Sequence, residues 1–195
     1  MSENVRTGLK KELKDINKVR WLTLTAVLMA INIAMATVGI TVPGGHLYLC
    51  DVVICTAAIL LDPFAAFMVG GVGSFLGDIL FYPPAMFVSL VVHGIQAVVI
   101  SLIVHRTKSY GKNGEFKVSL AATLVGAVIM VIGYTLGKIF VYSTYEYAII
   151  KLPYEITQAL LGVIGSLLLC YRFGLRRIFN RMEQSVFNQN VTFGV

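Results

Sequence analysis

Apolar runs alternate with short polar joins along the whole chain. The runs cover about 21–42, 48–61, 64–81, 85–105, 118–142 and 152–173. Pro43-Gly44-Gly45, Asp62-Pro63 and Tyr82-Pro83-Pro84 punctuate the joins. A helix needs about 20 apolar residues to cross the hydrocarbon core of a bilayer, and most runs approach that length. The second and third are short or interrupted by glycine. The sixth is expected to begin at Pro153, a favourable first-turn residue. Ahead of the first run, Leu9, Leu13 and Ile16 recur at helical spacing among charges. That predicts a short amphipathic helix lying on the membrane surface. The expected architecture is an all-α integral membrane protein, a compact bundle of six transmembrane helices in one domain over 1–195. Its parts are a basic amphipathic segment at 1–20, the helix bundle at 21–174 and a tail at 175–195.

Composition sharpens this picture. Of the 195 residues, 57% are hydrophobic and 13% charged, against about 25% charged in a soluble domain. Mean hydropathy is +0.79. A soluble enzyme with an ordinary polar shell is excluded, and no length remains for a second domain. The net charge of +6 would suit nucleic acid, but its distribution does not. Basic residues gather before the first run (Arg6 to Arg20), between runs four and five (Arg106 to Lys117) and after the last (Arg172 to Arg181). Only Lys138 and Lys151 fall elsewhere. This is the positive-inside pattern of a chain with both termini cytoplasmic. It carries no aromatic-interleaved basic face for bases. The long charged N-terminal segment does not read as a cleavable signal. Cys50, Cys55 and Cys170 lack metal-type spacing and read as small core residues. No metal or cofactor is expected.

Polar residues inside the runs are the informative exceptions, because they are costly in a bilayer. Ser89, His93 and Gln96 share one face of run four by their i, i+4, i+7 spacing. His93 lies about eight residues, or about 12 Å, from the outer end. The face must turn to the bundle interior, as interhelical glue or as a ligand contact. Tyr154, Glu155 and Gln158 open run six. Tyr134 and Lys138 close run five, followed by Tyr142 and Tyr145. Interfacial snorkelling would also explain Lys138, and an aromatic belt the tyrosines. The first outer loop adds His46 and Tyr48 and reads as mobile; Asp78 and Tyr82 end run three on the same side. Together these residues predict one outward-facing pocket for a small polar heteroaromatic compound.

Two further patterns have simpler readings. GGVGSFLG at 70–77 lacks the spacing and strand–helix setting of a dinucleotide site. Its small residues four apart predict close helix packing. Asp51, Asp62 and Asp78 fall at opposite membrane ends and do not suggest a metal site. Ala26, Ala30 and Ala34 form a smooth strip on run one. It serves either packing within the bundle or docking of another membrane protein. No phosphate-binding loop is present, so uphill transport would need a partner to supply energy.

GGHLYLCDVVI, MVGGVGSFLGDIL, VVHGIQAVV and PYEITQALLGVIG resemble the substrate-binding S components of energy-coupling factor (ECF) vitamin transporters. The likeness covers essentially the whole chain and is nearest the hydroxymethylpyrimidine- or pyridoxine-type members. The resemblance implies capture of a small vitamin under the first loop and between helices four, five and six. It implies association, in a bacterial plasma membrane, with a transmembrane coupling protein (the T component) and two ATP-binding subunits. Ala26 and Ala30, with Ala34, would meet the coupling protein. The substrate contacts expected by depth and face are His46, Tyr48, His93, Gln96, Tyr134, Lys138, Tyr154, Glu155 and Gln158. Riboflavin or pantothenate remain open as cargo. A lipid-modifying enzyme would need a catalytic cluster that is not seen. An assembly protein using only the alanine strip would leave the outer polar cluster unexplained.

Overall fold

The structure is a computed structural model that describes residues 3–42, 45–107 and 111–181. Pro43 and Gly44 of the first loop, and the tail from 182 onward, lie outside the described residues. The chain is an all-α membrane bundle. Helix α1 runs from Glu3 to Met35. A hairpin follows, with β1 at Gly39–Val42 and β2 at Gly45–Tyr48. Next come α2 (Cys50–Leu60), α3 (Pro63–Phe81) and α4 (Pro83–Arg106). Helix α5 covers Gly111–Gly137 and continues through a π turn at Lys138–Tyr142. Helix α6 covers Tyr145–Leu167 and ends in a π turn at Leu168–Arg172.

Three boundaries differ from the sequence expectation. The basic segment and the first span are one continuous helix, since no proline interrupts 3–35 and helix formation is cooperative. The first run was expected to continue to 42, but β-branched Ile40, Thr41 and Val42 pair instead with His46 and its neighbours. The register is Gly39↔Tyr48 and Thr41↔His46. The first outer loop is therefore a paired hairpin over its described residues. Helix α6 begins eight residues before Pro153, with the Thr144 side chain accepting from Tyr147 N–H at 3.4 Å. Pro153 lies inside it, where it removes one backbone donor.

Among the described residues, five helices are long and apolar enough to cross a membrane. Helix α2 is the short one. Its 11 residues rise about 16 Å, roughly half the hydrocarbon thickness. Every residue of it but Val52 is buried, so the longer helices wrap it on all sides. The core is built on this helix, with Ile54, Ile59, Val69, Ile100 and Met130 almost fully enclosed.

Small residues set how closely the helices approach. A Cβ added at Gly77 would sit 3.0 Å from that of Ala36, so α3 packs tightly on α1 as the small-residue spacing predicts. At Gly162 an added Cβ would lie 2.7 Å from the Asp51 Cβ and 3.3 Å from the Asp51 backbone. Helix α6 therefore rests on the first turn of α2. The alanine strip does the opposite. Ala26, Ala30 and Ala34 are all exposed, which removes the reading of packing within the bundle.

At the end away from the hairpin, Trp21 Nε1 donates to Asp62 Oδ1 at 2.5 Å. Asp62 also caps α3 by accepting from Phe64 N–H and Ala65 N–H. This end carries Arg106, Arg172 and Arg176. Replacing Gly162 with Val should push α6 off α2. The expected loss is about 1–3 kcal/mol, read as a lower Tm in detergent. An unchanged Tm would mean the two helices are not held at contact distance.

Candidate functional site

Because α2 is only half a membrane thick, space is left beyond its N-terminus. A cavity of about 140 Å³ occupies it. Cys50 of α2 lines its floor, and His46 and Tyr48 of the hairpin close one side. Helices α3 to α6 supply the remaining polar walls, and α1 reaches it through Asn32 and Ala36.

A buried carboxylate organises this region. Asp51, 1% exposed in the first turn of α2, accepts on both oxygens. Gln96 Nε2 of α4 donates to Oδ1 at 3.0 Å. Gln158 Nε2 of α6 donates to Oδ2 at 2.7 Å. Two donors on two oxygens are what an ionised carboxylate needs away from water. The α2 dipole favours negative charge at the same place. Each carboxamide then has its oxygen left to place. Gln158 Oε1 accepts from Tyr48 N–H at 3.0 Å, which anchors β2. Gln96 Oε1 faces His93 Nδ1 at 2.7 Å. A carbonyl oxygen only accepts, so Nδ1 carries the proton. In the neutral ring, Nε2 is then an acceptor for whatever enters the cavity.

A second network holds the aromatic wall. Ser89 Oγ donates to the Asp78 carboxylate, and the Tyr134 hydroxyl lies 2.5 Å from Ser89 Oγ. The serine has one proton and spends it on the carboxylate, so Tyr134 donates to Ser89. This fixes the Tyr134 ring, whose centroid lies 5.1 Å from that of His93. Opposite, the Lys138 ammonium pairs with Glu155. Both are buried, and the ammonium sits 5.2 Å from the Tyr134 ring centroid. The pair is neutral in sum yet presents a donor and an acceptor. Lys151 Nζ donates to His46 O at 2.9 Å, a second tie between α6 and the hairpin.

His46, Tyr48, His93, Tyr134, Lys138, Tyr154, Glu155 and Gln158 all line this one cavity. Ser89, His93 and Gln96 share a buried face, as their spacing predicts. Gln96 stands apart from the others: it is fully enclosed and sits behind His93, between that ring and Asp51. Lys138 does not snorkel to an interface, because Glu155 pairs with it inside the protein. The residues that sequence reasoning passed over are Asp51, Lys151 and Asn32. Lys151, Glu155, Gln158 and Gly162 follow i, i+4, i+7, i+11 spacing. Starting α6 at Pro153 cut Lys151 from that stripe. Asp51 enters the sequence reading only beside Asp62 and Asp78, as a metal site that their opposite membrane ends argue against. Cys50, Asp51 and His93 bring one potential ligand atom each within 4.8 Å. Both Asp51 oxygens and His93 Nδ1 are already engaged in hydrogen bonds.

A family model described as "ECF-type riboflavin transporter, S component" matches residues 16–173. The chain belongs to this family. A Pyrococcus woesei protein described as "Uncharacterized protein in gap 3'region" is 30% identical over 137 residues, covering 69% of this chain and 88% of the relative. The S component is thus a multi-pass membrane protein and a substrate-binding transporter subunit. The family implies association with a coupling T component and ATPases, and a transport rather than an enzymatic role.

Removing the Asp51 carboxylate should leave Gln158 Nε2 without its acceptor and Gln96 Nε2 with only the weak Cys55 Sγ at 3.9 Å. Asp51→Ala is expected to lower stability by about 1–3 kcal/mol for each unpaired group. Asp51→Asn, which keeps one acceptor, should fall between it and the parent in thermal unfolding. Equal Tm values for all three would show that Asp51 does not hold the helices together.

Proposed function

We propose that the S component captures a single-ring vitamin or precursor of the hydroxymethylpyrimidine or pyridoxine type, for ATP-driven uptake by the coupling module. Cavity size is the observation that carries this reading. About 140 Å³ is close to the roughly 150 Å³ of an engineered cavity that takes up benzene. One aromatic ring with small substituents matches it. The three fused rings and ribityl chain of riboflavin, named in the family description, are far larger.

The chemistry of the walls agrees with a small polar ring. Tyr134 and His93 offer aromatic faces. His93 Nε2 and Glu155 offer acceptors, and Lys138 offers a donor. Gln96 acts through His93 as a positioning residue. Ligand hydroxymethyl or amino groups would find partners on both sides of the ring.

The cavity opens toward the outside of a bacterial plasma membrane, with both termini cytoplasmic. The basic residues clustered at the end opposite the hairpin support that orientation. The exposed strip of Ala26, Ala30 and Ala34 serves as the face for the T component, with two ATP-binding subunits beyond it. Smooth small-residue strips let helices approach closely in a bilayer.

Calorimetry on the purified protein in detergent tests the substrate class. Hydroxymethylpyrimidine or pyridoxine should bind at one site below about 1 μM, which corresponds to about 8 kcal/mol. Riboflavin and pantothenate should not bind. His93→Ala should weaken binding about 10–100-fold, the loss expected for one buried partner, in a protein that still unfolds cooperatively. Tight riboflavin binding with no binding of either single-ring compound would overturn this reading.

A further inference from the structure

Asn32 is the polar residue that the hydrogen-bond networks leave unfinished. It sits in the last turn of α1 and is 1% exposed. Its Nδ2 donates to Val69 O at 2.8 Å and to Ser74 Oγ at 3.2 Å. Its Oδ1 is the buried side-chain oxygen with no partner among the described residues. Asn32 also lines the cavity.

The amide cannot turn round to escape this. A flip would set Oδ1 against the Val69 carbonyl oxygen, two acceptors facing each other. The surroundings are also shaped to the observed orientation. A Cβ added at Gly73 would lie 2.9 Å from Nδ2, so glycine there leaves room for the amide. The carbonyl is therefore held in one orientation with its lone pairs unused. A buried acceptor without a donor costs about 1–3 kcal/mol, and native proteins seldom tolerate one without a reason.

We propose that Asn32 Oδ1 is a substrate-reading acceptor that selects ring compounds carrying an N–H or O–H donor. This rests on the single-ring reading above and deepens it. Besides His93 Nε2, the other acceptors of the cavity are partly committed: Glu155 to Lys138 and Asp78 to Ser89. Asn32 Oδ1 is not. A site that buries an unpaired acceptor discriminates strongly against an analogue lacking the matching donor. The selected feature is an exocyclic amine or a hydroxymethyl group. A ring bearing only methyl groups is refused.

The test compares ligands and variants together. Calorimetry would use the full chain in detergent with 4-amino-5-hydroxymethyl-2-methylpyrimidine, its analogue without the amine, and its analogue with methyl in place of hydroxymethyl. Each would be run on the parent and on Asn32→Leu. In the parent, one of the two donor deletions should weaken binding about 10–100-fold. In Asn32→Leu that same deletion should cost no more than about twofold, because the partner is already gone. Equal penalties in both proteins would overturn the role of Asn32 while leaving the single-ring reading standing. Failure of the parent to bind any of the three would overturn both. A ligand-bound structure of the parent decides the matter should Asn32→Leu not fold. A ligand nitrogen or oxygen within about 3.2 Å of Oδ1 supports the proposal. A water molecule or a ligand carbon in that place overturns it.

Discussion

The Asp51 carboxylate is the constraint on which the rest of this structure depends. Charge is expensive to bury, and a carboxylate enclosed by apolar helices must be met by hydrogen-bond donors. Here the donors are two carboxamides from two different helices. Each carboxamide passes the constraint on through its oxygen. One fixes the backbone of β2, and the other fixes the protonation of His93 on the side away from the cavity. A single carboxyl group thereby sets the spacing of α2, α4 and α6, the seat of the hairpin and the chemistry of an imidazole that faces the cavity. Gly162 is the counterpart in packing, since only a residue without a side chain lets α6 come that close to Asp51.

The same economy runs through the remaining polar groups. Lys138 and Glu155 satisfy each other, and Tyr134, Ser89 and Asp78 form a directed relay. In lipid, such groups have no water to fall back on, so each pairing also specifies a helix contact. The polar lining of the cavity and the bundle architecture are consequently made from the same residues. A change to either is felt by the other.

Sequence pattern made the number and order of the apolar helices legible, along with the face shared by Ser89, His93 and Gln96. Those features come from hydrophobic length and from helical periodicity, which act locally. Eight of the nine substrate contacts expected from depth and face line one cavity. The features that escaped depend on contacts between distant segments. The hairpin at 39–48 looks like the tail of an apolar run until its two strands meet. The start of α6 at Tyr145 is masked by Pro153, whose usual place is a first turn. Asp51 and Asn32 find their hydrogen-bond partners on other helices. Their meaning lies in groups 45, 107 and 37 positions away.

The half-height of α2 has a consequence for the work that a transport machine must do. On the reading proposed above, a solute resting against Cys50 has already passed the part of the membrane that α2 does not fill. What remains ahead of it is the length of that helix, about 16 Å of close-packed protein. On that reading the fold divides the hydrocarbon barrier into a stretch crossed by diffusion and a stretch that demands motion. The energy of a nucleotide is then needed only for the second.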